Sequence, residues 1–143
     1  MRAAWVARCA VGLVTLSPLT RPPAAAAQST SCAAAAAHVA ADAGWSAWRL
    51  EQIARADSLF RAGVRHCHGT GEAWTGLGYV ALRRDLVPLA IARFDTAFSV
   101  LAAPTVDAAI GLGLATYRHG ALDRAYRAFA LADSLEPGNA TAR

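Results

Sequence analysis

The residues best suited to chemistry in this chain of 143 are three cysteines and four histidines. His66-Cys67-His68 puts three metal-ligand types in a row. Residues at i and i+2 do not share a helix face, and no second His/Cys group stands at zinc-finger spacing. The triplet therefore reads as a fraying helix end before Gly69-Thr70-Gly71, and no metal site is expected. Gly111-x-Gly113 hints at a phosphate-cradling loop, but it lacks the third glycine and the preceding strand that such loops need. No nucleophile, base and acid stand in a pattern that would assemble a catalytic set. The reading is of a non-enzyme with no cofactor. Cys32 and Cys67 remain; whether they meet depends on the architecture.

The first 27 residues resemble a secretory signal peptide. Arg2 and Arg8 give a positive start, an apolar stretch follows from Cys9 to Leu19, broken by Pro18, and Ala25-x-Ala27 fits the small-residue cleavage rule. The apolar run falls short of the roughly 18 residues a membrane span needs and ends in Arg21-Pro22-Pro23. No membrane span is expected after cleavage. Neither Cys9 nor Cys32 has a lipid-attachment setting. The expectation is export to a compartment outside the cytoplasm, the periplasm, with residues 28–36 as a short leader before a domain over 37–143. Cleavage also removes much of the net charge of +4. Every basic residue is arginine, 14 in all, and three of them leave with the leader against 10 acids that all stay. No basic stripe is left for a nucleic acid. The composition is 55% hydrophobic, much of it alanine, which favours closely packed helices.

The remaining sequence repeats. Leu77, Gly78, Ala90, Phe94 and Ala97 recur 35 positions later as Leu112, Gly113, Ala125, Phe129 and Ala132. Val87 and Leu122 keep the same offset. Ala90, Phe94 and Ala97 lie at i, i+4 and i+7, one face of a helix. A preceding helix over about 71–84 carries Leu77 and Gly78. Small residues at Gly78 and Ala90 allow close helix approach, with Phe94 filling the space between one hairpin and the next. Asp85 is placed to cap the second helix and Pro88 to sit in its first turn. In the last unit Gly120 makes the turn and Pro137-Gly138 ends the second helix. Stepping back 34 from Gly78, Ala90 and Phe94 gives Gly44, Ala56 and Phe60, a divergent first unit with no Gly or Asn at its turn near Glu51.

Trp74-x-x-Leu77-Gly78, Ala90-x-x-x-Phe94-x-x-Ala97, then Leu112-Gly113, Gly120, Ala125-x-x-x-Phe129-x-x-Ala132 and Pro137 resemble the tetratricopeptide repeat (TPR), 34 residues of helix–turn–helix. Ala81 and Thr116 replace the usual tyrosine, and the extra residue of the 35-residue period is expected in the Ala102–Thr105 loop. The resemblance implies an all-α fold of antiparallel helix-turn-helix units stacked as a short right-handed α-solenoid. The units are about 37–70, 71–105 and 106–139. In a first unit that is an antiparallel hairpin, its two ends lie side by side. That leaves two readings of Cys32 and Cys67: a disulfide stapling the hairpin, or two free thiols. A terminal repeat must shield its outer face, so the expectation is either that the last hairpin is exposed and finds a partner or that the chain is a piece of something longer, with a further repeat or a cap after Arg143.

The resemblance further implies a concave groove lined by the first helix of each unit and holding a protein or peptide partner. The aligned columns are Trp45, Tyr79 and Leu114; Trp48, Leu82 and Tyr117; and Arg49, Arg83 and Arg118. The candidate binding residues are Trp45, Trp48, Arg49, Tyr79, Arg83, Tyr117 and Arg118. An aromatic floor beside a file of arginines suits a segment with apolar side chains and an acidic group. The carboxylate-clamp version of the groove is not expected, because Thr75, Tyr79, Ile110 and Leu114 occupy its Lys and Asn positions. The functional expectation is a non-catalytic interaction scaffold outside the cytoplasm. The alternative is the repeat portion of a larger outer-membrane or secretion-related protein or exported enzyme.

Overall fold

A computed structural model describes residues 32–138. The expected signal peptide over 1–27, the start of the 28–36 leader, and residues 139–143 lie outside the described residues. Those described form six helices. They are α1 (Ala34–Arg49), α2 (Ile53–His66), α3 (Gly71–Arg83), α4 (Val87–Val100), α5 (Val106–Arg118) and α6 (Leu122–Leu135). The α1/α2, α3/α4 and α5/α6 pairs form antiparallel hairpins. Each hairpin packs only on its neighbour, through α2 on α3, α4 on α5, and the first helices α1 on α3 and α3 on α5. This is the nearest-neighbour stacking of an α-solenoid. Because helices alternate in direction, α1, α3 and α5 run the same way.

The first helix begins earlier than expected. Ala34–Ala36, assigned above to a loose leader, belong to α1. Alanine has the highest helix propensity, and the start is tied down twice. The Ala33 N–H donates to the His66 carbonyl at 3.0 Å, and Cys32 is disulfide-bonded to Cys67. Both ends of the first hairpin are thereby held together. Between hairpins, residues 67–70 connect α2 to α3 and 101–105 connect α4 to α5, so the second connection carries the residue that lengthens the period. Thr105 caps α5, its hydroxyl accepting from the Ala108 N–H at 3.3 Å.

All three hairpin turns have one backbone form. Glu51, Asp85 and Gly120 are left-handed, with φ of 56°, 60° and 84°. The next N–H in each case reaches back to a carbonyl of the last helical turn: Gln52 to Ala47, Leu86 to Ala81 and Ala121 to Thr116, each 2.9 Å. The left-handed N–H itself donates to Trp48, Leu82 or Tyr117 at 2.9 to 3.1 Å. These are the two bonds of a Schellman C-terminus. The expected role of Asp85 as a cap is therefore corrected. It is the left-handed turn residue, Leu86 precedes α4, and no side chain caps that helix. Pro88 does lie in the first turn of α4.

Core packing follows the repeated Phe and Gly. Phe60 and Phe94 are fully buried. A Cβ on Gly44 would lie 2.6 Å from the Phe60 ring, and one on Gly78 would lie 2.6 Å from the Phe94 ring. Gly76 and Gly111, in the first helix of the following hairpin, press on the same two rings from the other side. Each ring is thus clamped between two glycines, one from its own hairpin and one from the next. Only a hydrogen fits at those positions. The Gly111-x-Gly113 pair is accordingly helical packing: Gly111 accepts Phe94, and Gly113 accepts Phe129. Phe129 meets only this one glycine and is half-buried. Ala56, Ala90, Ala97 and Ala132 are fully buried and Ala125 nearly so, as close helix contacts require. Leu77 and Leu112 are buried beside them, and Pro137 is exposed just past α6.

Candidate functional site

Along α1, Asp42, Trp45, Ser46 and Arg49 stand at i, i+3, i+4 and i+7, one face of the helix. That face and Trp48 form one wall of a cleft of about 590 Å³ completed by Tyr79 of α3 and Asp107 of α5. The cleft thus crosses the first helices of all three hairpins. Its floor is aromatic. The Trp45 and Tyr79 rings meet edge-on at 5.8 Å, and Trp48 lies 6.0 Å from Tyr79. Trp45 also packs on Phe60 at 5.1 Å, and Tyr79 on Phe94 at 5.3 Å, so the floor rests directly on the clamped core rings. The Tyr79 hydroxyl donates to the Asp107 carbonyl at 2.8 Å. Burial, and then the Asp107 charge, push the Tyr79 phenol well above its ordinary range, so it stays a neutral donor.

The structure brings Trp45, Trp48, Arg49 and Tyr79 together in this cleft. Arg83 lies in a smaller depression of about 250 Å³ with Trp48, Arg49, Glu51 and Ile53. Tyr117 and Leu114 lie on the exposed surface of α5. Leu82, aligned with Trp48 and Tyr117, is buried in the core. Three lining residues, Asp42, Ser46 and Asp107, were not expected from the sequence. The i, i+3, i+4, i+7 spacing around Trp45 would have found two of them.

The arginine file has partners inside the chain. Arg83 reaches the Glu51 carboxylate at 3.4 Å. Arg118 pairs with the Asp85 carboxylate and donates to the Leu82 carbonyl at 3.0 Å. Each of these arginines holds the left-handed acidic residue of the preceding turn. All three arginines of the file also stand in the last turn of their helices, where a cation complements the helix dipole. Arg49 has no turn before it; it donates to the Ser46 hydroxyl at 3.1 Å and makes no ion pair among the described residues. Exposed ion pairs contribute about 0–1 kcal/mol. Arg118→Ala is expected to cost about 1 kcal/mol, part of it from losing the second of the two hydrogen bonds that the Leu82 carbonyl accepts. Arg83→Ala is expected to cost less, and urea unfolding of the two variants side by side measures the difference.

Elsewhere, Trp74 donates its ring N–H to the His68 carbonyl at 2.8 Å, while Arg93 stacks 5.0 Å above the ring. Trp74 is thus a structural residue of the first inter-hairpin connection. His66 and His68 flank the disulfide-bonded Cys67. No group of three or more His, Cys, Asp or Glu side chains converges on one point among the described residues. No helix among them is long and apolar enough to cross a membrane.

No family model matches the chain, and no curated protein matches it. Solved structures do. The TPR domain of Arabidopsis OM64 superposes with a TM-score of 0.68 at 20% identity, over 75% of this chain and 88% of that one. The first TPR of Spaghetti (RPAP3), solved bound to the HSP90 peptide SRMEEVD, gives 0.69 at 17% identity over 76% and 86%. YrrB, described as a TPR protein with an unusual peptide-binding site, gives 0.65 at 16% over 72% of this chain and 53% of its own. With the six stacked helices, the repeated Schellman turns and the clamped phenylalanines, these likenesses show that the described residues have the tetratricopeptide-repeat fold.

Proposed function

We propose that this protein is a non-catalytic interaction scaffold, working outside the cytoplasm, that holds a segment of a partner protein in the cleft across α1, α3 and α5. The observation that carries the reading is the cleft itself. Three aromatic rings from two adjacent hairpins form its floor, and nothing in the described chain fills it. Aromatic side chains on rigid helices are the usual anchors of binding surfaces. Two of the similar structures, RPAP3 and YrrB, are described with a bound peptide or a peptide-binding site, which supports the same use here. Location outside the cytoplasm is supported by the signal-like residues 1–27 and by the Cys32–Cys67 disulfide, a bond that persists in oxidising compartments.

Arg83 and Arg118 are engaged with Glu51 and Asp85, so binding is assigned chiefly to Trp45, Trp48, Arg49 and Tyr79. Capture of partner from periplasmic extract, compared between the unaltered chain and Trp48→Ala, is the direct test. Loss of a central aromatic anchor is expected to weaken capture by about thirtyfold, as at other interface hot spots. Far-UV circular dichroism should show the helix content unchanged. Equal capture by both chains rejects the groove.

A further inference from the structure

We infer that the segment held in this cleft presents a cationic side chain, arginine or lysine, next to an apolar one, with the cation facing Asp42 and Asp107. The inference rests on the groove reading and adds the chemistry of the ligand. The two carboxylates come from the first and third hairpins and stand on either side of Tyr79. Neither makes an ion pair among the described residues. By contrast Glu51, Asp57, Asp85 and Asp95 are each paired with an arginine. Those four acids are neutralised within the stack, while these two face an open aromatic cleft. Trp45 and Tyr79 line the cleft beside them, and aromatic faces attract cations as carboxylates do. A guanidinium suits both surfaces, stacking on a ring while donating to a carboxylate.

The cation in the lining, Arg49, marks the other end. It stands seven residues beyond Asp42 on α1, roughly 10 Å along the helix axis. Asp107 is in the first turn of α5, which runs parallel to α1, and Asp42 stands midway along α1, so both acids lie nearer the helix starts than Arg49 does. The cleft therefore has an acidic end, an aromatic middle and a basic end. An extended segment advances about 3.3 Å per residue, so about three residues span that distance. The matching ligand is a short stretch with a basic residue, an apolar residue beside it, and a carboxylate about three positions away on Arg49.

The test is to pan a displayed library of random seven-residue peptides against the full chain and to measure the enriched sequences as synthetic peptides. Arginine or lysine beside an aromatic or aliphatic residue is the expected consensus. Asp42→Asn with Asp107→Asn, both at exposed positions, should raise the Kd of those peptides about tenfold or more, with helix content unchanged. If the enriched peptides lack a basic residue, or if the double variant binds them as tightly as the unaltered chain, the inference is overturned. The groove reading still stands in that case provided Trp48→Ala abolishes their binding. If no enriched peptide depends on Trp48, the groove reading fails and the inference with it.

Discussion

Phe94→Ala is expected to destabilise the protein by about 3–5 kcal/mol, the usual range for emptying a buried aromatic site. The ring is fully buried and touches Gly78 of its own hairpin and Gly111 of the next, so the cavity opens on two interfaces at once. Collapse into that cavity is restricted, because helix backbone lies on both sides. Phe129 supplies the internal control. It has the same place in its unit but meets a single glycine and is half-buried. Phe129→Ala is therefore expected to cost about 2 kcal/mol. Urea unfolding followed by circular dichroism measures both, and equal losses would contradict the two-sided clamp. Phe94→Ala also undermines the cleft, because Tyr79 rests on the Phe94 ring.

The second large effect is expected from opening the Cys32–Cys67 disulfide. The bond closes a loop of sequence separation 35. In the chain-entropy description such a closure contributes about 4 kcal/mol by restricting the unfolded chain. Domains of this size lie about 5–15 kcal/mol above unfolding, so much of the margin depends on one bond. Reduction, or replacement of both cysteines by serine, should lower Tm by more than about 10 °C. The variant with Cys32→Ser and Cys67→Ser should then melt alike with and without reductant. A Tm indifferent to reductant in the unaltered chain would show that the bond contributes nothing. Since α1 supplies Trp45, Trp48 and Arg49, loosening the first hairpin should also reduce partner capture before global unfolding.

Particular residues show how far the sequence carried. Phe60, Phe94 and Phe129, with Gly44, Gly78 and Gly113, were legible because steric matching repeats with the fold. Of the second glycines of the clamps, Gly111 was visible only as part of a Gly-x-Gly pattern and Gly76 not at all; the partner of each lies in the preceding unit, a relation that periodicity alone does not state. The Glu51 turn was obscure because its left-handed backbone is held without glycine, using an arginine from 32 residues later. The arginine column follows from the repeat offset, but alignment cannot distinguish a side chain reaching into a groove from one folded back onto the preceding turn. Asp42 and Asp107 escaped because charge on a surface helix ordinarily means only solvation. Their distinction is that they line the aromatic cleft without an arginine opposite them, a property of the assembled stack.

The pairing of Arg83 with Glu51 and of Arg118 with Asp85 bears on how the array assembles. A left-handed non-glycine residue costs roughly 1 kcal/mol or more, and its offsetting ion pair comes from the succeeding hairpin. An isolated hairpin would carry that strain without relief. A part of the stability at these two turns thereby lies in the junctions between units, which in a linear array raises cooperativity. Partly formed stacks become scarce at equilibrium, and protease-sensitive species with one hairpin frayed from the rest should be correspondingly few.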